Sequence, residues 1–157
     1  MTTALAALGR VKMVRQAPLL ERLDKAAFNR DVWSIPALKN ALREPGTVAQ
    51  VVFCPKGRPA GYALTERRGA QVWLATLCVV PSLQGQGLGR TLLFAQVQAA
   101  ARKGARSLYL TVREGNYRAI ALYEQSGWQR VKTLINHYPA KGRKPAEDAF
   151  VYRLRIV

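Results

Sequence analysis

One segment constrains the fold of this chain more than any other: an apolar run that ends in a glycine-rich turn and continues with helical spacing. Residues 72–80 form the run, Pro81 ends it, and Gly85, Gly87 and Gly89 mark the turn. A strand that enters a helix through such a turn leaves backbone N–H groups unpaired at the helix N-terminus, where they bind phosphate. We therefore expect a phosphate or pyrophosphate ligand here, although a tight connection without a ligand would show the same pattern.

The spacing of the turn differs from two familiar phosphate motifs. A P-loop needs a lysine after its last glycine, and this turn has none. A dinucleotide fingerprint needs GxGxxG, but here the third glycine is displaced by one position. The remaining pattern is Gln84-x-x-Gly87-x-Gly89, with Arg90 as a cation at the start of the helix.

Apolar periodicity predicts seven strands and four helices in the order β, α, α, β, β, β, α, β, α, β, β. The predicted strands are 11–15, 48–54, 59–65, 71–80, 107–112, 128–135 and 149–156. The predicted helices are 19–28, a segment that begins after the N-cap Ser34, 87–103 and 117–125, with a break around 29–31 between the first two. No repeat or linker is visible, so we expect one α+β (mixed α/β) domain over 1–157, with 1–9 flexible.

Charge and composition narrow the classes of protein to consider. The net charge is +16, and the basic residues are spread from Arg10 to Arg155, which predicts a basic surface or an anionic partner such as a nucleotide or a ribonucleoprotein. No apolar run reaches the ~20 residues of a membrane span, and the N-terminus lacks a signal-peptide pattern. Cys54 and Cys78 fit buried thiols in a reducing cytoplasm. His137 is the single histidine, so we expect no metal site.

A second motif covers residues 108–128, LYLTVREGNYRAIALYEQSGW. Together the two motifs resemble those of the GNAT N-acetyltransferase superfamily: Gln or Arg-x-x-Gly-x-Gly or Ala after a strand ending in Val-x-Pro, then VR-x-x-N-x-x-A-x-x-LY-x-x-x-G-aromatic. Phe28 with Trp33-Ser34, and residues 136–139 and 147–149, resemble the RimI-type branch, which acetylates N-terminal amines of ribosomal proteins. The resemblance covers most of the chain. It implies a GNAT fold, with a mostly antiparallel, splayed sheet of about seven strands flanked by about four helices.

The resemblance implies acetyl-CoA as cosubstrate and assigns its contacts. In the family the pantetheine lies along the strand before the turn, which corresponds to Leu77, Cys78 and Val79 here. The residues that match the pyrophosphate cradle are Gln84, Gly85, Gln86, Gly87, Leu88, Gly89 and Arg90. Asn116 matches an asparagine that reaches the cofactor, and it is equally suited to cap the helix that follows.

The resemblance also assigns the catalytic groups. Tyr123 matches the tyrosine that protonates the departing coenzyme A thiolate, although an aromatic packing role fits its helix as well. The glutamate that serves as base in the RimI-type pattern is replaced by Thr111, whose hydroxyl can orient a water but accepts no proton near neutral pH. Glu114, the nearest acid in sequence, is the remaining candidate for the base. An α-amino group has a pKa of ~7.7–8.0 against ~10.4 for lysine, so we expect an enzyme that works without a strong base on low-pKa amines.

The acceptor is the least constrained partner. Trp33 and Tyr138 are candidates for an acceptor channel, with core packing as the alternative. The resemblance implies direct attack of a primary amine on acetyl-CoA, first of all a protein N-terminal α-amino group. Small-molecule, lysine or aminoacyl-tRNA amines remain alternatives, as does a module that binds coenzyme A or RNA with little catalysis. Direct nucleic-acid binding stays open, no membrane partner is expected, and the sequence identifies neither the acceptor nor the oligomeric state.

Overall fold

The structure, a computed structural model, describes residues 10–28 and 32–156. The predicted break at 29–31 and the expectation for 1–9 lie outside these residues. The strands are β1 (Arg10–Met13), β2 (Val48–Phe53), β3 (Pro59–Arg68), β4 (Gln71–Val79), β5 (Ser107–Arg113), β6 (Gln129–Tyr138) and β7 (Glu147–Arg155). The helices are α1 (Ala17–Ala27), α2 (Ile35–Arg43), α3 (Leu88–Arg102) and α4 (Tyr117–Gln125), with a short 3₁₀ turn at Pro81–Leu83.

All seven strands form one sheet in the order β1-β2-β3-β4-β5-β7-β6. Every neighbouring pair is antiparallel except β4 and β5, which are parallel. The predicted mixed architecture of seven strands and four helices is thereby confirmed. The parallel pair is very short, because only Val72 with Leu108 and Trp73 with Tyr109 are in register. Beyond Trp73 the two strands diverge, and the sheet opens into a V.

Two hydrophobic cores lie on opposite faces of the sheet. One core joins α3 and α4 to the sheet through residues such as Leu92, Leu108 and Tyr123. The other joins α1 and α2 to β2–β4 through Leu20 and Leu38, among others. No helix among the described residues has the length and apolar character that a bilayer crossing requires.

β3 and β6 extend three residues beyond their predicted C-terminal ends, and every other strand end differs from its prediction by at most two residues. β3 continues through Arg68 rather than ending at 65, because its charged end pairs with β4 and the turn is confined to residues 69–70. β6 runs to Tyr138 rather than ending at 135. Its pairing is irregular between Leu134 and Tyr138, and Asn136 has a positive φ of 51°, with its N–H donating to Asp148 Oδ1 at 2.7 Å. This irregularity disrupts the alternation on which the prediction depended.

Candidate functional site

The glycine turn builds a helix N-terminus that no side chain caps. Gly85 and Gly87 have φ values of 79° and 82°, in the left-handed region that glycine adopts without strain. Gly87 is the N-cap of α3, so no side-chain oxygen accepts the first N–H groups of the helix, and no acidic residue occupies its first turn. The positive end of the helix dipole and its N–H donors are therefore available to an anion.

A cavity of about 820 Å³ opens at this turn and extends between the end of β4 and α4; we call it the turn cavity. Most of the predicted cofactor contacts line it, together with the predicted catalytic tyrosine. These residues are Leu77, Cys78, Val79, Gln84, Gly85, Gly87, Leu88, Gly89, Arg90, Asn116 and Tyr123. Gln86 lies on the exposed side of the turn and is not part of the lining.

The divergence of β4 from β5 turns backbone groups of β4 toward the opening. The N–H of Val80 donates to Ala60 O at 2.8 Å, which places Val80 in a hydrogen-bonded pair with the neighbouring strand. In an antiparallel ladder the groups of alternate residues point the other way, so those of Val79 and Leu77 point away from β3. The carbonyl of Val79 accepts from Gln84 Nε2 at 2.9 Å. The N–H of Val79 and both backbone groups of Leu77 therefore face the V between β4 and β5.

Gln84 links the end of β4 to helix α4. Its amide nitrogen donates to the Val79 carbonyl, and its amide oxygen accepts a short hydrogen bond from Arg118. Gln84 therefore shapes the turn through its bonds to protein groups on both sides, and its role as a cofactor contact stays a prediction. Arg90 is similarly anchored at the rim, where it donates to Gln125 Oε1 at 3.0 Å.

Arg118 also lines the turn cavity, although it was not among the predicted site residues. Its guanidinium lies 3.7 Å from the point where a Cβ on Gly85 would stand, so it overhangs the turn. A signal for it existed in the sequence: Arg118 stands in the first turn of α4, where the helix dipole disfavours a cation. A cation in such a position points to an anionic partner nearby.

A second cavity of about 320 Å³ occupies the V itself, and we call it the strand cleft. Trp33, Thr111 and Tyr138 line it, so the structure brings together the two predicted channel residues and the position of the family glutamate. It shares four residues with the turn cavity: Phe28, Leu77, Asn116 and Tyr123. The two cavities therefore meet at these residues.

Tyr123 lies at this junction and is 6% exposed. Its ring packs against those of Trp128 and Tyr152, with centroid distances of 5.9 and 6.5 Å. Burial raises the pKa of the Tyr123 phenol above its ordinary value, so the hydroxyl stays protonated through neutral pH. No described residue forms a hydrogen bond with that hydroxyl. The side chain thus fits both predicted roles, packing with its ring and offering an uncommitted proton donor.

The walls of the strand cleft are held by polar contacts behind them. The backbone N–H of Trp33 donates to Asp24 Oδ2 at 2.7 Å, and the Tyr62 hydroxyl donates to Asp24 Oδ1 at 2.6 Å. Asp24 is fully buried, and desolvation raises the pKa of its carboxyl. On the opposite wall the Arg113 guanidinium stacks 3.6 Å from the centre of the Tyr138 ring.

Asn116 both caps a helix and lies at the candidate site. Its Oδ1 accepts a hydrogen bond from the N–H of Ala119 at 3.2 Å. Asn116 therefore caps α4, which is one of the two roles predicted for it from the sequence. The same residue lines both cavities.

The structure does not bring Glu114 to either cavity. Glu114 lies in a separate cavity of about 890 Å³, beside Lys144 and Glu147. Among the described residues that line the turn cavity or the strand cleft, none is an aspartate, a glutamate or a histidine. The site therefore provides backbone donors, arginines and a phenol, but no ordinary base.

Cys78 lines the turn cavity through β4, and it belongs to the hydrophobic core that α1 and α2 form with the sheet. The sulfur contacts Leu23 O at 3.9 Å, and burial raises the pKa of the Cys78 thiol to about 12. Nothing in residues 10–28 and 32–156 groups three or more metal-ligating side chains, and His137 instead packs edge-on against Tyr138 at 4.9 Å.

Comparisons with known proteins agree with this geometry. The sequence profile of the Acetyltransferase (GNAT) family matches residues 17–128. The [ribosomal protein bS18]-alanine N-acetyltransferase of Escherichia coli K12 is 36% identical over 100 residues, which are 64% of this chain and 66% of that protein. Its counterpart from Salmonella typhimurium LT2 is 37% identical over 100 residues, 63% of this chain and 66% of that protein. The match thus spans just under two thirds of the length of these relatives.

Solved structures extend the likeness to nearly the whole chain. The crystal structure of the ribosomal-protein-S18-alanine N-acetyltransferase from Escherichia coli superposes with a TM-score of 0.83 at 27% identity and covers 94% of each chain. The ribosomal-protein-alanine N-acetyltransferase from Brucella melitensis superposes with a TM-score of 0.77 at 20% identity, covering 94% of this chain and 99% of the other, a likeness that shows the fold alone.

Proposed function

Because this chain belongs to the acetyltransferase (GNAT) family, we propose that it transfers an acetyl group from acetyl-CoA to the α-amino group of a protein N-terminus. The observation that carries the proposal is the Tyr123 hydroxyl, buried and uncommitted where the turn cavity meets the strand cleft. Relatives named for acetylating an alanine of ribosomal protein bS18 support this class of acceptor.

The turn cavity fits acetyl-CoA, which supplies an activated acyl thioester. The uncapped N-terminus of α3 offers N–H donors to a pyrophosphate, and the overhanging guanidinium of Arg118 adds positive charge beside it. The outward-facing backbone groups of Leu77 and Val79 suit the amides of a pantetheine arm, which would pair with β4 as a missing strand does.

Each residue at the junction has a separate role in the proposed reaction. The Val79 N–H donates to the acyl oxygen and stabilises the negative charge that develops there. The amine nitrogen forms a bond to the acyl carbon as the carbon–sulfur bond breaks. Tyr123 gives its proton to the departing sulfur and is reprotonated from solvent, while the nitrogen releases its surplus proton to water. Burial keeps the Tyr123 phenol protonated, as a proton donor requires.

The absence of a lining carboxylate among the described residues favours an acceptor that arrives already neutral. An α-amino group, with a pKa of ~7.7–8.0, satisfies this near neutral pH, whereas a lysine with a pKa of ~10.4 is almost fully charged. The positive surface of the protein lowers the pKa of a bound ammonium further. Thr111 orients a water that takes the released proton, and Glu114 has no part in the reaction.

We place this reaction in the cytoplasm, where protein N-termini emerge and thiols stay reduced. Both cysteines, Cys54 and Cys78, are free and buried, in keeping with such a compartment.

The test compares two peptides with purified protein and acetyl-CoA. One peptide has a free N-terminal alanine and no lysine; the other has a blocked N-terminus and one lysine. We expect acetylation of the first, located by mass spectrometry, with thiol release that follows an apparent pKa near ~8. The Glu114→Gln variant should retain this profile. Binding of coenzyme A without thiol release, or modification of lysine alone, would contradict the proposal.

A further inference from the structure

A fourth cavity, of about 670 Å³, lies beside the strand cleft, mainly on β4, β5, β7 and β6; we call it the sheet-face groove. Trp73, Tyr109 and Lys132 are among its lining residues. It shares four residues with the strand cleft: Leu74, Ala75, Thr111 and Tyr138. The two therefore form one continuous path that leads outward from Tyr123.

No described helix covers this path. Helix α1 packs against β3 and β4, and α3 and α4 lie on the other face of the sheet. Neither hydrophobic core includes Trp73, Tyr109 or Thr111. The groove is thus a sheet face open to an extended polypeptide, and it continues the cleft in which the acceptor amine is expected.

The floor of the groove is aromatic. The rings of Trp73 and Tyr109 stack with centroids 5.3 Å apart and an interplanar angle of 30°. The Arg68 guanidinium lies 5.0 Å from the centre of the Trp73 ring and extends the platform at its edge. Such a rigid, flat surface supports the main chain and side chains of an extended segment.

The charge of this face is positive. Lys132 lines the groove, and two arginines share the face because they are in register with residues that point the same way: Arg153 with Tyr109 and Arg155 with Ser107. Within residues 10–28 and 32–156, no carboxylate lies within ion-pairing distance of these three cations.

Two further cations beside the groove and the cleft, Arg68 and Arg113, are neutralised by carboxylates. Arg68 pairs with Glu66 at 2.7 Å, and Arg113 pairs with Glu147 at 3.4 Å. The excess positive charge therefore comes from the three cations without a carboxylate.

We propose that the acceptor polypeptide runs along the sheet-face groove, and that the groove selects acceptors with aspartate or glutamate at positions three to five, counted from the N-terminal residue. This inference rests on the proposed function. Arg113, in the strand cleft, and Tyr109, in the groove, are four positions apart on β5, or about 13 Å at ~3.3 Å per residue. An extended acceptor with its amine at Tyr123 therefore brings its third to fifth side chains to Lys132 and Arg153.

The experiment uses three peptides that share the same first two residues and carry glutamate, glutamine or lysine at positions three to five. We expect the glutamate peptide to exceed the lysine peptide about tenfold or more in kcat/KM, mostly through KM, since the groove binds and does not react. The preference should fade at about 1 M salt, where the screening length is ~3 Å.

Charge-reversal variants test whether Lys132 and Arg153 cause the preference for the glutamate peptide. The Lys132→Glu and Arg153→Glu double variant should bring the glutamate-to-lysine ratio near one or below it, with kcat for the glutamine peptide retained. Lys39→Glu, on exposed α2 and outside every cavity described, is the matched control and should leave the ratio unchanged. A thermal melt verifies folding. The single Lys132→Glu variant, at an exposed position, serves if the double variant does not fold.

The outcomes separate the two levels of the proposal. Equal acetylation of all three peptides by the wild type overturns the groove inference and leaves the proposed function standing. No acetylation of any peptide overturns both. A third outcome would also overturn the inference: a single-stranded RNA oligonucleotide blocks acetylation, the Lys132→Glu variant is not blocked, and the ratio between the glutamate and lysine peptides is near one. In that case the groove binds nucleic acid rather than the acceptor polypeptide.

Discussion

Replacement of Tyr123 by phenylalanine removes one buried hydroxyl and leaves the ring that packs against Trp128 and Tyr152. Since no described residue bonds that hydroxyl, the substitution leaves no partner unsatisfied, and we expect the free energy of unfolding to change by no more than about 1 kcal/mol. Binding of coenzyme A should also persist, because the backbone of β4 and the N-terminus of α3 are untouched.

The catalytic loss can be bounded from the chemistry of the leaving group. A general acid contributes typically ~10²–10⁴ in rate. A thiol with a pKa near ~8.5 departs fairly well even as a thiolate, so the loss belongs at the lower end of that range. We expect kcat to fall about 10²-fold, or ~2.7 kcal/mol in activation free energy, with KM for acetyl-CoA nearly unchanged.

The assay measures thiol release and peptide acetylation together, from about pH 6 to pH 9, for the wild type and Tyr123→Phe. Tyr117→Phe is a matched control, because Tyr117 stands on the same helix with 80% of its surface exposed. Retention of more than about a third of kcat by Tyr123→Phe, or an equal loss in Tyr117→Phe, would refute the assignment of Tyr123 as proton donor.

Three further changes test the site. Gly87→Ala places a residue with a Cβ at a φ of 82°, which costs ~1–2 kcal/mol, and it should weaken coenzyme A binding about tenfold as measured by calorimetry. Its control is Gly104→Ala, at a φ of 86° with no neighbouring atom within contact distance, which should lower the melting temperature without changing the affinity for coenzyme A. Cys78→Ala should retain kcat within about threefold, because a thiol with a pKa of about 12 is almost never ionised at neutral pH; an acetylated cysteine in the intact-mass spectrum would contradict direct transfer. For Asp24, burial raises the folded-state pKa above the unfolded value, so its stabilising contribution falls as the pH rises from about 4. In urea unfolding the wild type should therefore lose stability relative to Asp24→Asn between about pH 4 and pH 7, and a constant difference would show that the carboxyl does not titrate abnormally.

The parts of the site that depend on local chemistry were predictable from sequence. Gly85 and Gly87 signalled left-handed backbone before a helix, and both have positive φ. The N-cap of Asn116 follows from its side chain and position in the same way. Such features are decided within a few residues, where periodicity and turn chemistry carry the information.

The parts that depend on distant contacts were not predictable from local patterns, and the splay of the sheet was expected only through the family resemblance. The divergence of β4 from β5 follows from a register in which Trp73 is the last β4 residue to pair, and no local pattern encodes it. The anchoring of Trp33 by Asp24 joins a residue of α1 to one that lies just before α2, and Arg118 reaches the glycine turn from another helix. The position of Glu114 outside the cleft likewise results from the turn after β5 rather than from its proximity in sequence to Thr111.

Because the V is open, we expect some backbone amides at the centre of the sheet to exchange like those of an edge strand. Strand β4 lies fourth of seven, yet the amides of Leu77 and Val79 have no strand opposite them on the β5 side. We expect these amides to exchange with deuterated water far faster than those of Tyr62 and Leu64 on β3. An occupant of the V that accepts from these amides would slow their exchange and raise the melting temperature, so protection of two central amides would report occupancy without any turnover.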